Sequence, residues 1–245
     1  MIRIYSKNEI QIMRDGGRIL AKIMKELEKK VKPGITTKEL DKVASDLIFS
    51  FKAKPSFKGY NKFPAALCTS INEEVVHAVP KDRKLKKGNI LSLDLGIRYK
   101  GYCSDMAITI PVGEVDKKIK KLIGVTKDSL DIGIEEMKAG NSLDNIGVAI
   151  QKYVEKNGFN VVRELVGHGV GKQVHEDPQI PNYKSNQGIE LKQGMVLALE
   201  PMVTVGDWHV KKSKDGFGYV ADSLSAHFEH TIAVTDKGPM ILTEI

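Results

Sequence analysis

The sequence of 245 residues predicts an α+β fold made of two similar α/β halves. Three observations support this prediction: helical patterns come in pairs, each pair precedes strand-like apolar segments, and the whole order occurs twice. One shift of 106 positions places 34–94 on 140–200, and it aligns Asp94 with Glu200. We therefore predict a single domain of 1–245, with halves of about 1–112 and 113–245 around a shared antiparallel sheet.

The first half begins with two predicted helices. Ser6 and Glu9 form a capping-box pattern before an apolar series with spacings of three and four residues. Thr36 and Glu39 repeat the pattern before a second amphipathic series. Strands are predicted after these helices, at 65–71 and 90–95.

The second half repeats this order. Helical patterns at about 117–137 and 142–156 correspond to the first two helices. The segment KQGMVLALE at 192–200 resembles KKGNILSLD at 86–94, and each ends an apolar run with a carboxylate. Several matches in one register indicate an internal duplication.

Composition places the chain among globular proteins, with 41% hydrophobic and 28% charged residues. No apolar run is long enough to cross a bilayer, and the N-terminal residues lack the apolar core of a signal peptide. Two cysteines are too few for a disulfide framework, which predicts a reducing, cytoplasmic location.

The formal charge of +7 allows two interpretations. It could attract an anionic partner such as nucleic acid, or it could reflect a solvated, lysine-rich surface. Lysines are scattered, and no basic run with interleaved aromatic residues is present, so the surface interpretation is favoured.

Two aspartates mark a predicted hairpin in LSLDLGIRYKGYCSDMAITI, with its turn near Tyr99–Lys100. Without a bulge, Asp94 would lie directly opposite Asp105, with Cβ atoms about 5 Å apart. Such carboxylates repel each other, and a cation would compensate. A pair of solvated strand aspartates is the alternative interpretation.

Three further residues favour the cation. Glu200 and Glu229 each lie beside an apolar strand pattern, and His168 lies among glycines in VGHGVG. Either glutamate alone would fit an ion pair or an exposed turn. Together with the aspartates they form a set too rich in oxygen for structural zinc, but suited to two Mn, Fe or Co ions. Ions about 3.5–4 Å apart would lower the pKa of a bridging water towards about 7 and make a hydroxide nucleophile.

These residues carry a resemblance to type I methionine aminopeptidases, which are metallopeptidases of the pita-bread fold. It covers nearly the whole chain, and its motifs are weak singly but specific in this order and spacing. The matching segments are Asp94, Asp105, NEEVVH at 72–77, GHGVG at 167–171, HEDP at 175–178, EPM at 200–202 and EHT at 229–231. The resemblance implies a hydrolase that removes the initiator methionine from nascent proteins when the second residue is small.

The resemblance also implies the metal ligands. Asp105 and Glu229 would bridge two divalent ions, and Asp94 would bind one ion with both oxygens. His168 and Glu200 would complete the shell of the other ion, and Glu200 would also accept a proton from water. Mn, Fe(II) or Co would fit, Zn is compatible, and a monovalent cation is conceivable near Asn72 and Ser225.

Substrate contacts follow from the same resemblance. His77 and His175 would orient the substrate amide and stabilise the tetrahedral intermediate. The apolar pocket for the methionine side chain would consist of Tyr60, Phe63, Cys68 and Phe217, although some of these could be plain core residues. Phe217 and Val174 depart from the aromatic residues that many members carry there, which leaves the shape of the pocket open.

Partners and alternatives complete the prediction. We expect a monomer acting on nascent polypeptide N-termini, with no membrane partner, and its basic surface would suit transient ribosome association. An aminopeptidase with another side-chain preference and a non-enzymatic relative that binds RNA or ribosomes remain open. The complete ligand set argues against the second. Ordinary surface or core roles are expected for His209, His227 and His230.

Overall fold

The computed structural model describes residues 1–245. Four α-helices are present: α1 (Lys7–Lys30), α2 (Thr37–Ser50), α3 (Lys117–Glu135) and α4 (Asp144–Lys156), with a 3₁₀ turn at Tyr60–Lys62. The strands are β1 (Lys54–Pro55), β2 (Leu67–Ile71), β3 (Glu74–Val76), β4 (Ile90–Tyr99), β5 (Tyr102–Pro111), β6 (Asn160–Val161), β7 (Gly167–Gly169), β8 (Glu176–Ile180), β9 (Val196–Leu199), β10 (Met202–Thr204), β11 (Lys211–Lys212), β12 (Tyr219–Val220), β13 (Ser225–His227), β14 (His230–Thr235) and β15 (Gly238–Ile241). None of the helices combines the length and apolar character needed to span a membrane.

Both predicted capping boxes form. The Glu9 amide donates to the Ser6 hydroxyl, and the Glu9 carboxylate accepts from the Ser6 amide. Thr36 and Glu39 make the same reciprocal pair at the start of α2. A hydroxyl cap of this kind stabilises a helix by about 1 kcal/mol. The apolar faces of α1 and α2 then pack on β4, which forms the core of the first half.

Equivalent hydrogen bonds recur in the two halves. The Gly34 amide donates to the Leu85 carbonyl, and the Gly140 amide donates to the Leu191 carbonyl, both at 2.8 Å. Both glycines have positive φ, +94° and +89°, which glycine adopts without strain. Two antiparallel bridges show the same shift of 106: Thr36 with Lys84, and Ser142 with Glu190. These pairs support the division into two halves.

The main sheets of the two halves are antiparallel, and one of the contacts between the halves lies beside the candidate site. The first has the order β1-β4-β2, with β5 also paired to β4, and the second has the order β15-β14-β9-β7-β8. Between them, Ala107 and Glu229 form an isolated antiparallel bridge. The Glu229 amide donates to Ala107 at 2.9 Å, and the Ala107 amide donates to Glu229 at 3.3 Å. This seam carries residues of the candidate site.

The β4–β5 hairpin corrects one prediction. Its turn lies at Lys100–Gly101, whose φ values of 47° and 92° resemble those of a type I′ turn. Asp94 therefore pairs with Ala107, and Asp105 pairs with Gly96. The two aspartates are not directly opposite but diagonal neighbours, and they still project from the same face because side chains alternate along strands.

Candidate metal centre and active site

A cavity of about 410 Å³ lies where the two halves meet, and it contains the side chains expected from the sequence. The lining includes every predicted site residue: Tyr60, Phe63, Cys68, His77, Asp94, Asp105, His168, His175, Glu200, Phe217 and Glu229. Leu165 and Lys212 also line it, and sequence reasoning did not anticipate them. One part of the cavity, which we call the floor, is acidic and consists of Asp94, Asp105, His168, Glu200 and Glu229. The rest of the lining includes two further histidines and an apolar side.

The floor of the cavity is formed by strands from both halves. Asp94 lies on β4 and Asp105 on β5, while His168 lies on β7. Glu200 directly follows β9, and Glu229 lies between β13 and β14. All five side chains are buried. Ligand atoms of Asp105, His168 and Glu229 lie within 4.8 Å of one another, close enough to share an ion.

Buried carboxylate oxygens on this floor have no hydrogen-bond partner. They are Oδ1 of Asp94, Oδ1 of Asp105 and Oε1 of Glu229. No lysine or arginine forms an ion pair with these carboxylates. Since an unsatisfied buried carboxylate is strongly destabilising, the floor requires a compensating charge. An oxygen-rich set with one imidazole suits divalent Mn, Fe or Co, so the residues present fit a metal centre.

The protonation of the metal-free floor follows from burial. Burial raises the pKa of Asp94 to about 7 and that of Glu200 to about 8. For Asp105 and Glu229, burial and the neighbouring carboxylates hold the pKa well above its usual range. Burial lowers the pKa of His168 to about 3, so this imidazole is neutral at pH 7 and has a lone pair free for a cation.

Glycine neighbours let the strand that carries His168 pack closely against the adjacent strand. A Cβ at Gly169 would overlap the carbonyl of Asp177 on the adjacent strand β8, so only glycine permits this close pairing. The Nδ1 of His168 lies 2.9 Å from the Gly169 carbonyl. That contact leaves Nε2, 3.5 Å from Oε1 of Glu200, as the ring nitrogen that points to the carboxylates.

Two more histidines lie above the floor. The His175 ring stacks on Tyr60 at 5.2 Å, and its centroid is 4.1 Å from that of His168. His77 has φ of +57°, a left-handed conformation that is strained for a histidine. Burial and the nearby His175 lower the pKa of His77 to about 4, and burial also lowers the pKa of His175. Both rings are therefore neutral at pH 7, and each can donate one N–H.

The apolar side of the cavity combines aromatic rings with a thiol. Phe63 and Phe217 meet edge to face at 5.6 Å. Cys68 is buried and pairs with Asp94 in the β2–β4 register. Burial and the nearby Asp94 raise the pKa of its thiol well above the usual value, so the sulfur stays neutral. Apolar surface of this kind suits a thioether side chain.

A hydrogen-bonded loop places Phe217 against that apolar side. The carboxylate of Asp215 accepts from the amides of Phe217 at 3.1 Å and Gly218 at 3.3 Å. Lys81 approaches the same carboxylate at 3.0 Å from the other half of the chain. Despite partial burial, hydrogen bonds from the Ser213 hydroxyl, Lys81 and the two amides hold the pKa of Asp215 well below its usual range.

The ordinary surface or core role expected for His227 remains a prediction; the residue lies in the core, beside Glu200. Its side chain is only 1% exposed, and Nε2 lies 3.3 Å from Oε2 of Glu200. Its backbone amide and carbonyl are both held by the Thr109 hydroxyl.

The other two histidines match the expectation of ordinary roles. The Nδ1 atom of His230 lies 2.8 Å from the Thr243 hydroxyl oxygen. His209 lies on the surface beside Asp207, at 2.9 Å. Neither lines the cavity.

Sequence comparison places the chain in a known family. The profile of metallopeptidase family M24 matches residues 11–236. A methionine aminopeptidase of Bacillus subtilis is 51% identical over 248 residues, with all of both chains covered. The methionine aminopeptidase of Clostridium acetobutylicum is 49% identical, with 99% of each chain covered.

Structural comparison agrees. Methionine aminopeptidase structures from Rickettsia prowazekii and Thermotoga maritima each superimpose with a TM-score of 0.97 over the full length of both chains, at 40% and 44% identity. A prolidase from Pyrococcus horikoshii, at 24% identity and a TM-score of 0.81, shares the fold. The chain therefore has the pita-bread fold and belongs to metallopeptidase family M24, as an aminopeptidase of the methionine aminopeptidase group.

Proposed function

We propose that this enzyme removes the N-terminal methionine from nascent proteins whose second residue is small. The observation that carries the proposal is the single cavity in which a buried acidic floor adjoins an apolar side. The floor can position a scissile peptide bond, and the apolar side can take the methionine thioether. The names of the relatives support methionine as the residue removed.

The proposed metal ligands are the five residues of the floor: Asp94, Asp105, His168, Glu200 and Glu229. Two divalent ions bound there would polarise the scissile carbonyl and lower the pKa of an attacking water. We propose that Glu200 accepts the proton of that water at a carboxylate oxygen.

The two neutral histidines supply hydrogen-bond donors to the substrate. His175 lies beside His168, so its N–H is placed to donate to the carbonyl oxygen of the scissile amide. His77 lines the same cavity and packs edge to face on Tyr219 at 6.2 Å. We propose that His77 contacts the second residue of the substrate. Its constrained backbone leaves little freedom to make room for a large side chain there.

Peptide hydrolysis tests this proposal. Metal would be stripped from the protein and replaced with Mn, Fe(II) or Co, and cleavage of Met-Ala-Ser, Met-Leu-Ser and Leu-Ala-Ser would be compared. We expect cleavage of Met-Ala-Ser alone, and only with added metal. Equal cleavage of Leu-Ala-Ser would contradict the methionine preference, and cleavage by chelated protein would contradict the metal mechanism.

Several finer expectations belong to the same proposal. We propose a cytoplasmic monomer using Mn, Fe(II) or Co, with a monovalent cation near Asn72 and Ser225. The carbonyl oxygens of Asn72 and Glu74 both lie within 3.2 Å of the Ser225 hydroxyl, which supports a polar site there. If the basic surface mediates ribosome association, co-sedimentation with ribosomes should weaken as salt is added.

A further inference from the structure

A tyrosine near the N-terminus is buried against the segment that carries His175. Tyr5 is only 5% exposed, although it precedes the first helix. Its hydroxyl donates to Oε2 of Glu176 at 2.7 Å and accepts from the Lys172 amide at 3.0 Å. One hydroxyl thus connects both ends of Lys172–Glu176, which we call the His175 segment.

Glu176 extends these contacts within the His175 segment. Its second oxygen, Oε1, accepts from the Gln173 amide at 2.9 Å. The Glu176 side chain is only 8% exposed, and Arg3 approaches it at 3.7 Å. Hydrogen bonds to a buried carboxylate are stronger than neutral ones, so Tyr5 and Glu176 together fix the backbone on both sides of His175.

Tyr5 is itself firmly placed. Its amide donates to the Gly194 carbonyl at 2.8 Å, just before the strand that leads to Glu200. Its ring meets Tyr102 edge to face at 6.2 Å. Gly171 leaves space for the Tyr5 hydroxyl, since a Cβ there would overlap it. The tyrosine therefore connects the His175 segment to the framework of the metal floor.

His175 depends on this backbone support. No protein group hydrogen-bonds to its ring, whose aromatic neighbours are Tyr60 and His168. Its side chain is exposed, and Tyr60 is 37% exposed. A catalytic group displaced by about 1 Å can lose about 10²-fold in rate. We propose that Tyr5 is a positioning residue, which orients His175 through Glu176 and Lys172; this inference rests on the role proposed for His175.

The test begins with Tyr5→Phe, which removes only the hydroxyl. Tyr102→Phe is the matched control, because its hydroxyl also donates to a glutamate, Glu9 at 2.9 Å, but makes no hydrogen bond to the His175 segment. With full metal content, we expect Tyr5→Phe to lower kcat on Met-Ala-Ser about tenfold, with KM within about twofold. Tyr102→Phe should stay within about twofold of wild type. Equal losses in the two variants would overturn the proposal.

A double-mutant cycle identifies the route of the effect. If Tyr5 acts through His175, Tyr5→Phe should change kcat little when combined with His175→Ala. The same tenfold loss in both backgrounds would show a general structural effect and overturn the proposal. Wild-type activity in His175→Ala alone would also overturn it, because His175 would then have no role to be positioned for.

Hydrogen exchange gives a readout that does not depend on catalysis. Amides of 171–177 should exchange faster in Tyr5→Phe than in wild type and Tyr102→Phe, because the Lys172 amide loses its acceptor. Unchanged exchange would overturn the proposal even if the wild type cleaved no peptide. Failure of the wild type to cleave Met-Ala-Ser would instead contradict the proposed function, so the two failures are distinguishable.

Discussion

The two halves of the molecule contribute to the cavity in different ways. At equivalent positions, the segment after each turn glycine carries a carboxylate: Asp94 lies within β4 in the first half, and Glu200 directly follows β9 in the second. The other residues that line the cavity have no counterpart in the lining at the shifted position. The first half adds His77 and the aromatic turn near Tyr60, while the second half adds the His175 segment. The acidic floor thus uses the repeated framework, and the substrate side uses loops in which the halves differ.

The largest effect is expected from breaking the floor with Asp105→Asn, which keeps the size of the side chain. We expect loss of bound metal and a fall in kcat of about 10³-fold or more, since metal activation is worth several kcal/mol. Metal-free Tm should not fall, because one buried, mutually repelling carboxylate is gone. Metal content, peptide hydrolysis and calorimetry measure these outcomes; a normal metal content would contradict the ligand assignment.

A smaller effect is expected from His175→Ala, on the loop side of the comparison. Loss of one donor to the developing oxyanion should remove roughly 2–4 kcal/mol of transition-state stabilisation. We therefore expect kcat to fall while bound metal is retained. His209→Ala is the control, because that histidine lies on the surface beside Asp207. Loss of metal from His175→Ala would show that this residue belongs to the floor instead.

The pH dependence of stability sharpens the description of the floor. Asp94 and Glu200 have raised pKa values of about 7 and 8, so the folded metal-free protein keeps protons that the unfolded chain releases above about pH 4. Their contribution to stability is therefore complete below about pH 4 and lost as pH rises to about 8. Bound metal should restore the stability that is lost at high pH. The increase in Tm on adding metal should therefore be larger at pH 8 than at pH 5, by about 5 °C or more. A constant rise would contradict these protonation states.

The smallest effect is expected at the loop that carries Phe217. In Asp215→Asn the amides of Phe217 and Gly218 lose a charged acceptor. KM for Met-Ala-Ser should rise by about 3–10-fold with kcat nearly unchanged, as for loss of uniform binding. Asp82→Asn is a matched control, because Asp82 also pairs with a lysine at 3.0 Å but is exposed and lies outside this loop. A fall in kcat would contradict this expectation and show that the loop also affects the catalytic residues of the floor.

The comparison also explains what could be predicted from sequence. Helix starts and the repeat depend on local patterns, and both capping boxes form as predicted. Strand alternation alone predicts the hairpin turn one residue too early, whereas Gly101 favours a turn at Lys100–Gly101, where both residues have positive φ. The error moved the pairing of Asp94 by two positions, which preserves the face of the strand, so the acidic cluster was unaffected.

Residues that act through distant partners could not be found this way. His227 contacts Glu200, which directly follows β9, and only the folded chain brings the two together. Tyr5 precedes an ordinary capping box, and nothing near it in sequence indicates Glu176. The Phe217 loop likewise depends on Lys81 from the first half. Tertiary contacts between residues far apart in sequence leave no local pattern.

Glu229 has one further consequence, because it belongs to the seam between the halves as well as to the floor. Its backbone is paired with Ala107, and its side chain faces the carboxylates of the first half. An ion held by Glu229 and Asp105 would act as a non-covalent cross-link beside this backbone bridge, which is one of several contacts between the halves. Chelation should therefore make the connection between the halves, near 112–116, a preferred place for proteolytic nicking. Metal supply would then govern the lifetime of the enzyme as well as its turnover.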